Sequence, residues 1–171
     1  SNYAKRMLLF TIHVAAMHEG RPVVGVIFEP ATESMYSAVT GQETQLNGRR
    51  IRAGEDEINE FSSVGMVSRF DGGVPGWATE LMRRMRFRNL GSTSLELAYL
   101  AKGGLIAGIF VNPKLWDIAA GTLIAENAGA IVGDWQGKKI FPIDLDAYEG
   151  TPIRTMAANK KVYQQILDLL R

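Results

Sequence analysis

Two stretches of this sequence carry residue types that could do chemistry at a shared site. The first, Leu115-Trp116-Asp117-Ile118-Ala119-Ala120-Gly121, opens a helical run of small residues that continues to Asn127. A carboxylate in the first turn of a helix caps orphan N–H groups and complements the helix dipole. The same carboxylate could present oxygen to a divalent cation, since Mg²⁺ takes one or two carboxylates together with waters and substrate phosphate. One Asp cannot complete such a site, so the residues alone leave both roles open. The second stretch is Leu90-Gly91-Ser92-Thr93-Ser94. A glycine followed by hydroxyl residues at a helix N-terminus offers N–H groups to an anion or to substrate hydroxyls. An ordinary Ser/Thr cap has the same composition.

Other chemistry-bearing residues read more plainly. There is no cysteine among the 171 residues, which rules out a disulfide framework, a thiolate metal site and a thiol nucleophile. That fits a reducing, cytoplasmic setting. His13 and His18 read as core or strand-edge histidines rather than a metal pair. Trp77, Trp116 and Trp135 read as packing residues, and Asp144, Asp146 and Glu149 as surface charges. Arg83, Arg84, Arg86 and Arg88 form the one basic concentration, a solvated helix end running into a strand. A net charge of +1 gives no electrostatic case for a nucleic-acid or membrane-surface partner. No apolar run approaches the roughly 18 residues of a membrane span.

The elements that must position these residues fall into two textures. Residues 8–17, 23–28 and 34–40 are apolar or alternating runs separated by Glu19-Gly20-Arg21-Pro22 and Glu29-Pro30, which predicts an antiparallel meander. Asn47-Gly48 predicts a two-residue type I′ hairpin, whose central residues both need φ > 0. Beyond residue 62, strands at 64–67, 87–90, 105–111, 130–132 and 153–157 alternate with helices at 77–85, 92–101, 116–127 and 160–170. The glycine-rich loop Asp71-Gly72-Gly73 precedes the first of these helices. The reading is an α/β (α+β) fold with an antiparallel β-rich portion over 1–61 and an α/β portion over 62–171.

Taken together, these residues resemble the inositol monophosphatase family. Trp116, Asp117, Ala119, Ala120 and Gly121 match its Trp-Asp-x-Ala-Ala-Gly signature, and Glu126-Asn127-Ala128-Gly129-Ala130 follows with one inserted position at Asn127. Val24-Gly25-Val26, Glu29-Pro30, Met35-Tyr36-Ser37-Ala38, Gly41 and Leu46-Asn47-Gly48 occur in the order of the family's central meander. Gly91-Ser92-Thr93, Ala101 and Gly103 match its next helix. The resemblance implies a layered α/β/α/β/α sandwich of the sugar-phosphatase type and a Mg²⁺-dependent phosphomonoesterase of small phosphorylated metabolites, inositol monophosphate-like or sugar phosphates. It implies a homodimer and sensitivity to Li⁺. Asp117 takes the place of a metal-ligand aspartate, and Gly91, Ser92 and Thr93 take the places of groups that line the substrate.

Two departures shape the expectation. Ser1-Asn2-Tyr3 resembles the residues directly after the family's Asp-Pro-Ile-Asp-Gly-Thr motif, so Asp117 is the one family metal carboxylate within these 171 residues. The polypeptide alone is then not expected to hold two Mg²⁺ ions or to catalyse; a non-catalytic binding module with a phosphatase fold is the alternative. Second, Phe110 stands where inositol-binding members carry a glutamate seven residues before the metal aspartate, and Ile106 where many carry an aspartate. A ligand hydroxyl unpaired against the Phe110 ring would lose roughly 1–3 kcal/mol. Asn112 is the residue placed to compensate.

Overall fold

The computed structural model describes residues 2–67, 70 and 72–170. Its first third forms an antiparallel sheet in the order β1 (Ile12–His18), β2 (Arg21–Glu29), β3 (Ser34–Val39), β4 (Gln45–Leu46) and β5 (Arg49–Arg50). The Asn47-Gly48 turn joins β4 to β5 with φ of 49° and 75°, as the dipeptide predicts. The expected first strand, 8–17, begins later. Residues Tyr3–Lys5 form a 3-10 turn, and Asn2 Nδ2 donates to the carbonyls of Leu9 (2.5 Å) and Leu90 (2.7 Å), which holds residues 8–11 off the sheet.

The second sheet is mixed, in the order β7 (Arg86–Arg88), β6 (Ser63–Val67), β8 (Ala107–Phe110), β10 (Thr155–Ala158) and β9 (Ile131–Asp134). Strands β6, β7 and β8 are parallel, while β10 runs antiparallel to β8 and β9. Helices α1 (Gly76–Arg84), α2 (Thr93–Ala101), α3 (Leu115–Asn127) and α4 (Tyr163–Leu169) supply the connections and the end of the chain. The expected helix 160–170 starts at Tyr163 because Asn159 Oδ1 accepts the N–H groups of Lys161 and Val162, making a turn before it.

Three apolar clusters give the layering. Ile27, Tyr36 and Ala38 of the first sheet pack on Ala98, Ala120, Leu123 and Ile124 of α2 and α3. The other side of those helices, with Leu97, Leu100, Ile118 and Ala125, packs on Phe110, Val132 and Ala157 of the second sheet. Its far face, with Val64, Met66, Ile109 and Met156, is covered by Leu81 of α1 and Ile166 of α4. The order is sheet, helices, sheet, helices, an α+β arrangement that supplies four of the five layers of the expected sandwich. No helix among the described residues is long and apolar enough to cross a membrane.

The middle layer is fitted by small residues. A Cβ added to Gly25 on β2 would lie 2.8 Å from the Ala120 carbonyl oxygen, and one on Gly121 would lie 2.5 Å from Leu97 Cδ1. Polar ties reinforce this contact: Thr44 Oγ1 donates to the Ile124 carbonyl at 2.7 Å, and Asn127 Nδ2 donates to the carbonyls of Val39 and Gln42. The inserted Asn127 thus anchors the end of α3 to the first sheet.

Glu96 of α2 is fully buried. Its Oε1 accepts the Leu90 N–H at 2.9 Å, while Oε2 has no partner and lies against Gly65. Burial pushes its carboxyl up to about 8, partly offset by the Leu90 hydrogen bond.

Two expectations follow from this packing. Gly25→Ala forces β2 away from α3 and lowers stability by about 1–3 kcal/mol, read as a lower urea midpoint with unchanged slope. For Glu96, the folded state keeps a proton that the unfolded chain releases near the ordinary carboxylate value of 4.5. Its contribution to stability is full below that value and is lost as pH rises toward about 8. Urea titrations across this range should show stability falling, and Glu96→Gln should remove that part of the slope.

Candidate functional site

The parallel strands β6, β7 and β8 end at one side of the second sheet, and a cleft of about 530 Å³ opens there. Ligands of α/β sheets sit characteristically at the carboxyl ends of parallel strands. The cleft is lined by His13 of β1, Val67 of β6, Asn89 after β7, Gly91 to Ser94 at the start of α2, Asn112 and Pro113 after β8, and Asp117 of α3. All four residues expected at a site from sequence, Gly91, Ser92, Thr93 and Asp117, therefore line one space.

The N-termini of α2 and α3 both point into it. Gly91 adopts a φ of 68°, a left-handed turn that glycine makes without strain, and Ser92 then caps α2 by accepting the Leu95 N–H. The N–H groups of Thr93 and Ser94 precede the first intrahelical bond, which Glu96 makes to the Ser92 carbonyl. Two orphan donors at a positive helix end favour an anion.

Asp117 performs the capping role its position allowed. Its Oδ2 accepts the Lys114 N–H at 2.7 Å, closing the first turn of α3, and its Oδ1 has no hydrogen bond among the described residues. The turn is braced from behind. The Leu115 N–H donates to the Tyr148 hydroxyl at 2.9 Å, the Lys114 ammonium donates to the Gly150 carbonyl, and the Trp116 and Tyr148 rings meet edge to face. The capping carboxylate thus keeps one oxygen free on the cleft side.

Phe110 is a correction. Its ring was expected to face a ligand, but it is fully buried and does not line the cleft. The ring folds back over Gly108 on the same strand, with Phe110 Cζ 2.6 Å from where a Gly108 Cβ would stand. The missing side chain at 108 makes room for the ring, so no substrate hydroxyl meets it. Ile106 is likewise buried, in the apolar cluster facing α1 and α4. Asn112, by contrast, lines the cleft and is exposed.

His13 is the residue that sequence reasoning undervalued. It lies on an edge strand, as expected, yet its ring enters the cleft wall and its Nε2 meets the Trp116 carbonyl oxygen at 2.9 Å. The signal was there in period-two alternation, which puts His13 on the same side of β1 as Thr11 and Ala15, toward the interior. The remaining candidates stay outside the site. His18 is exposed beside Glu19, and Asp144 caps its own turn through the N–H groups of Asp146 and Ala147. Arg84 pairs with Glu80 and Arg86 lies over Phe61, both at the surface. Trp77 packs between Phe70 and Trp135. Trp116 is largely exposed, its packing limited to the Tyr148 side. Asp71 and Ser1 lie outside the described residues.

A metal ion implied by the resemblance can be tested against the donors present. Among the described residues no group of three or more His, Asp or Glu side chains is placed to hold a metal. Asp117 is the single carboxylate among the cleft-lining residues; the rest are hydroxyls, amides and one imidazole. That set supplies one anionic ligand and does not by itself build a metal centre.

Comparison with known proteins places this geometry. A model of the inositol monophosphatase family matches residues 1–170. A fructose-1,6-bisphosphatase from Pyrococcus furiosus is 33% identical over 99% of the chain and 64% of its own length. A Nus factor SuhB from Escherichia coli is 29% identical over 94% of the chain and 63% of its own length. The solved structure of an IMPase from Thermotoga maritima superposes with a TM-score of 0.84 at 27% identity, covering 99% of this chain and 63% of that one. The chain thus spans slightly less than two thirds of the proteins it matches, and over that span it belongs to the inositol monophosphatase family.

Proposed function

We propose that this chain is the larger part of a metal-dependent phosphomonoesterase acting on a small phosphorylated polyol or sugar. The observation that carries the reading is the convergence of two helix N-termini, three hydroxyl side chains and one half-free carboxylate on a single cleft of about 530 Å³. Membership of the inositol monophosphatase family supports it, as does the similarity to a protein named fructose-1,6-bisphosphatase. In this reading Thr93 and Ser94 offer N–H groups to phosphate oxygens, and Gly91 lets the backbone approach the ligand closely. Ser92, Asn89 and Asn112 face its organic part. Such a site works by positioning and by electrostatic complementarity to charge on the phosphoryl group.

Mg²⁺ is the proposed cofactor, with Asp117 Oδ1 as one ligand; when bound, it supplies charge neutralisation at phosphate oxygens. The described lining of the cleft contains no second carboxylate, so further anionic ligands come from substrate or from carboxylates other than those described there. A second reading is a non-catalytic factor that keeps the fold and works through an interface. The lone carboxylate favours it, as does the similarity to a protein named Nus factor SuhB.

The two readings separate on one assay. Phosphate release from a phosphorylated polyol should require Mg²⁺ and should fall by about 100-fold or more in Asp117→Asn, with circular dichroism and melting unchanged. Release that survives this substitution refutes the metal role of Asp117. No release by the parent protein with Mg²⁺ supports the interface reading. A homodimer is part of the same proposal, and sedimentation showing only monomer at micromolar concentration would remove it.

A further inference from the structure

Hydroxyl groups on the cleft wall form a chain whose direction follows from one carbonyl. His13 Nε2 lies 2.9 Å from the Trp116 carbonyl oxygen, which can only accept. Nε2 therefore carries the hydrogen, and in the neutral ring Nδ1 is left as an acceptor. Thr11 Oγ1 lies 3.4 Å from Nδ1 and has one hydrogen, which it directs there. Ser94 Oγ is 2.6 Å from Thr11 Oγ1, so Ser94 is the donor in that contact. Ser92 Oγ is 3.3 Å from Ser94 Oγ, so Ser92 in turn donates to Ser94. The Leu95 N–H already donates to Ser92 Oγ at 3.4 Å. Ser92 is left with no hydrogen for a ligand and with one lone pair at the cleft.

We propose that His13, Thr11 and Ser94 are positioning residues that hold the Ser92 hydroxyl as an acceptor toward the cleft. Ser92 then selects a hydroxyl of the ligand's organic part and turns away the oxygens of a phosphate-ester dianion, which have no hydrogen to give. The ligand class, a phosphate ester of a polyol, rests on the phosphatase reading; the direction of the chain does not. Ser94 is buried, and Thr11 is partly so, which shields these links from competing water. The same chain joins the N-terminus of α2, β1 and the peptide just before Asp117.

Two measurements on this protein test the inference. Nitrogen NMR of the His13 ring at mildly alkaline pH should show hydrogen on Nε2 and an unprotonated, hydrogen-bonded Nδ1. Thr11→Val should shift Nδ1 toward an unbonded nitrogen, and Thr11→Ser should restore it. Titration with two probes, myo-inositol and inorganic sulfate, a tetrahedral dianion with no hydrogen, then reads the consequence. Thr11→Val should weaken myo-inositol binding about ten-fold and leave sulfate binding within about two-fold, with Thr11→Ser close to wild type. Hydrogen on Nδ1, equal losses for both probes, no loss for either, or a wild-type protein that binds no polyol would each overturn the proposal. Polyol binding that depends on Thr11 in a protein that releases no phosphate counts against the phosphatase reading and leaves the positioning role standing.

Discussion

Everything at the cleft depends on how closely the backbone of α3 is gripped. On one side β2 approaches until Gly25 leaves no room for a methyl group against the Ala120 carbonyl, and on the other Leu97 of α2 fills the space above Gly121. A helix held by backbone-to-backbone contact has little freedom to slide or rotate, because interiors packed at crystal density do not yield without cost. Asp117 lies one turn before this grip. Its position relative to Ser92 and Thr93 is thus set first by small residues at 119–121 and by α2 packing, with the His13 link to the Trp116 carbonyl adding a polar tie on the cleft wall.

That arrangement lets polar groups converge where they would otherwise repel or go unsatisfied. Two helix N-termini in one cleft bring like partial charges together, which is unfavourable unless an anion lies between or nearby. The Asp117 carboxylate supplies part of that charge, and closing its own helix turn with Oδ2 keeps Oδ1 aimed outward. Glu96, in the first turn of α2, contributes no charge while protonated; it holds the Leu90 N–H and supports the strand-to-helix turn at Gly91. Two carboxyl groups near the same helix ends therefore do different work, one lining the cleft and one buried beside Gly65.

Much of this could be read from residue order, and the reasons differ by element. The hairpin at Asn47-Gly48 and the helices over 93–101 and 115–127 follow from local rules, turn chemistry and capping, which act over a few residues. The helix N-termini at Gly91-Ser92-Thr93 and Asp117 were legible in residue type, which left cap and ligand roles open; the family resemblance singled those residues out. What escaped depends on distant partners. Residues 8–11 have strand composition, but Asn2 and Leu90, far apart in sequence, hold that segment elsewhere. Phe110 looked like a cleft residue because strand position alone does not say which way a ring turns, and Gly108 decided it. His13 was undervalued since its partner, the Trp116 carbonyl, is 103 residues away.

The burial of Phe110 changes where ligand recognition must reside. A carboxylate at that position would bring two acceptors to the cleft; an inward ring brings none and adds apolar area to the core beneath α3. The acceptors left among the described lining are the Asn89 and Asn112 amides, the free Asp117 oxygen and whichever hydroxyls have their hydrogens committed elsewhere. A neutral hydroxyl is a weaker and more directional acceptor than a carboxylate, and it costs little to desolvate. On the phosphatase reading proposed above, recognition of a ligand's organic part would therefore rest on hydroxyls and amides spread over β1, α2 and the segment after β8 rather than on one carboxylate at position 110.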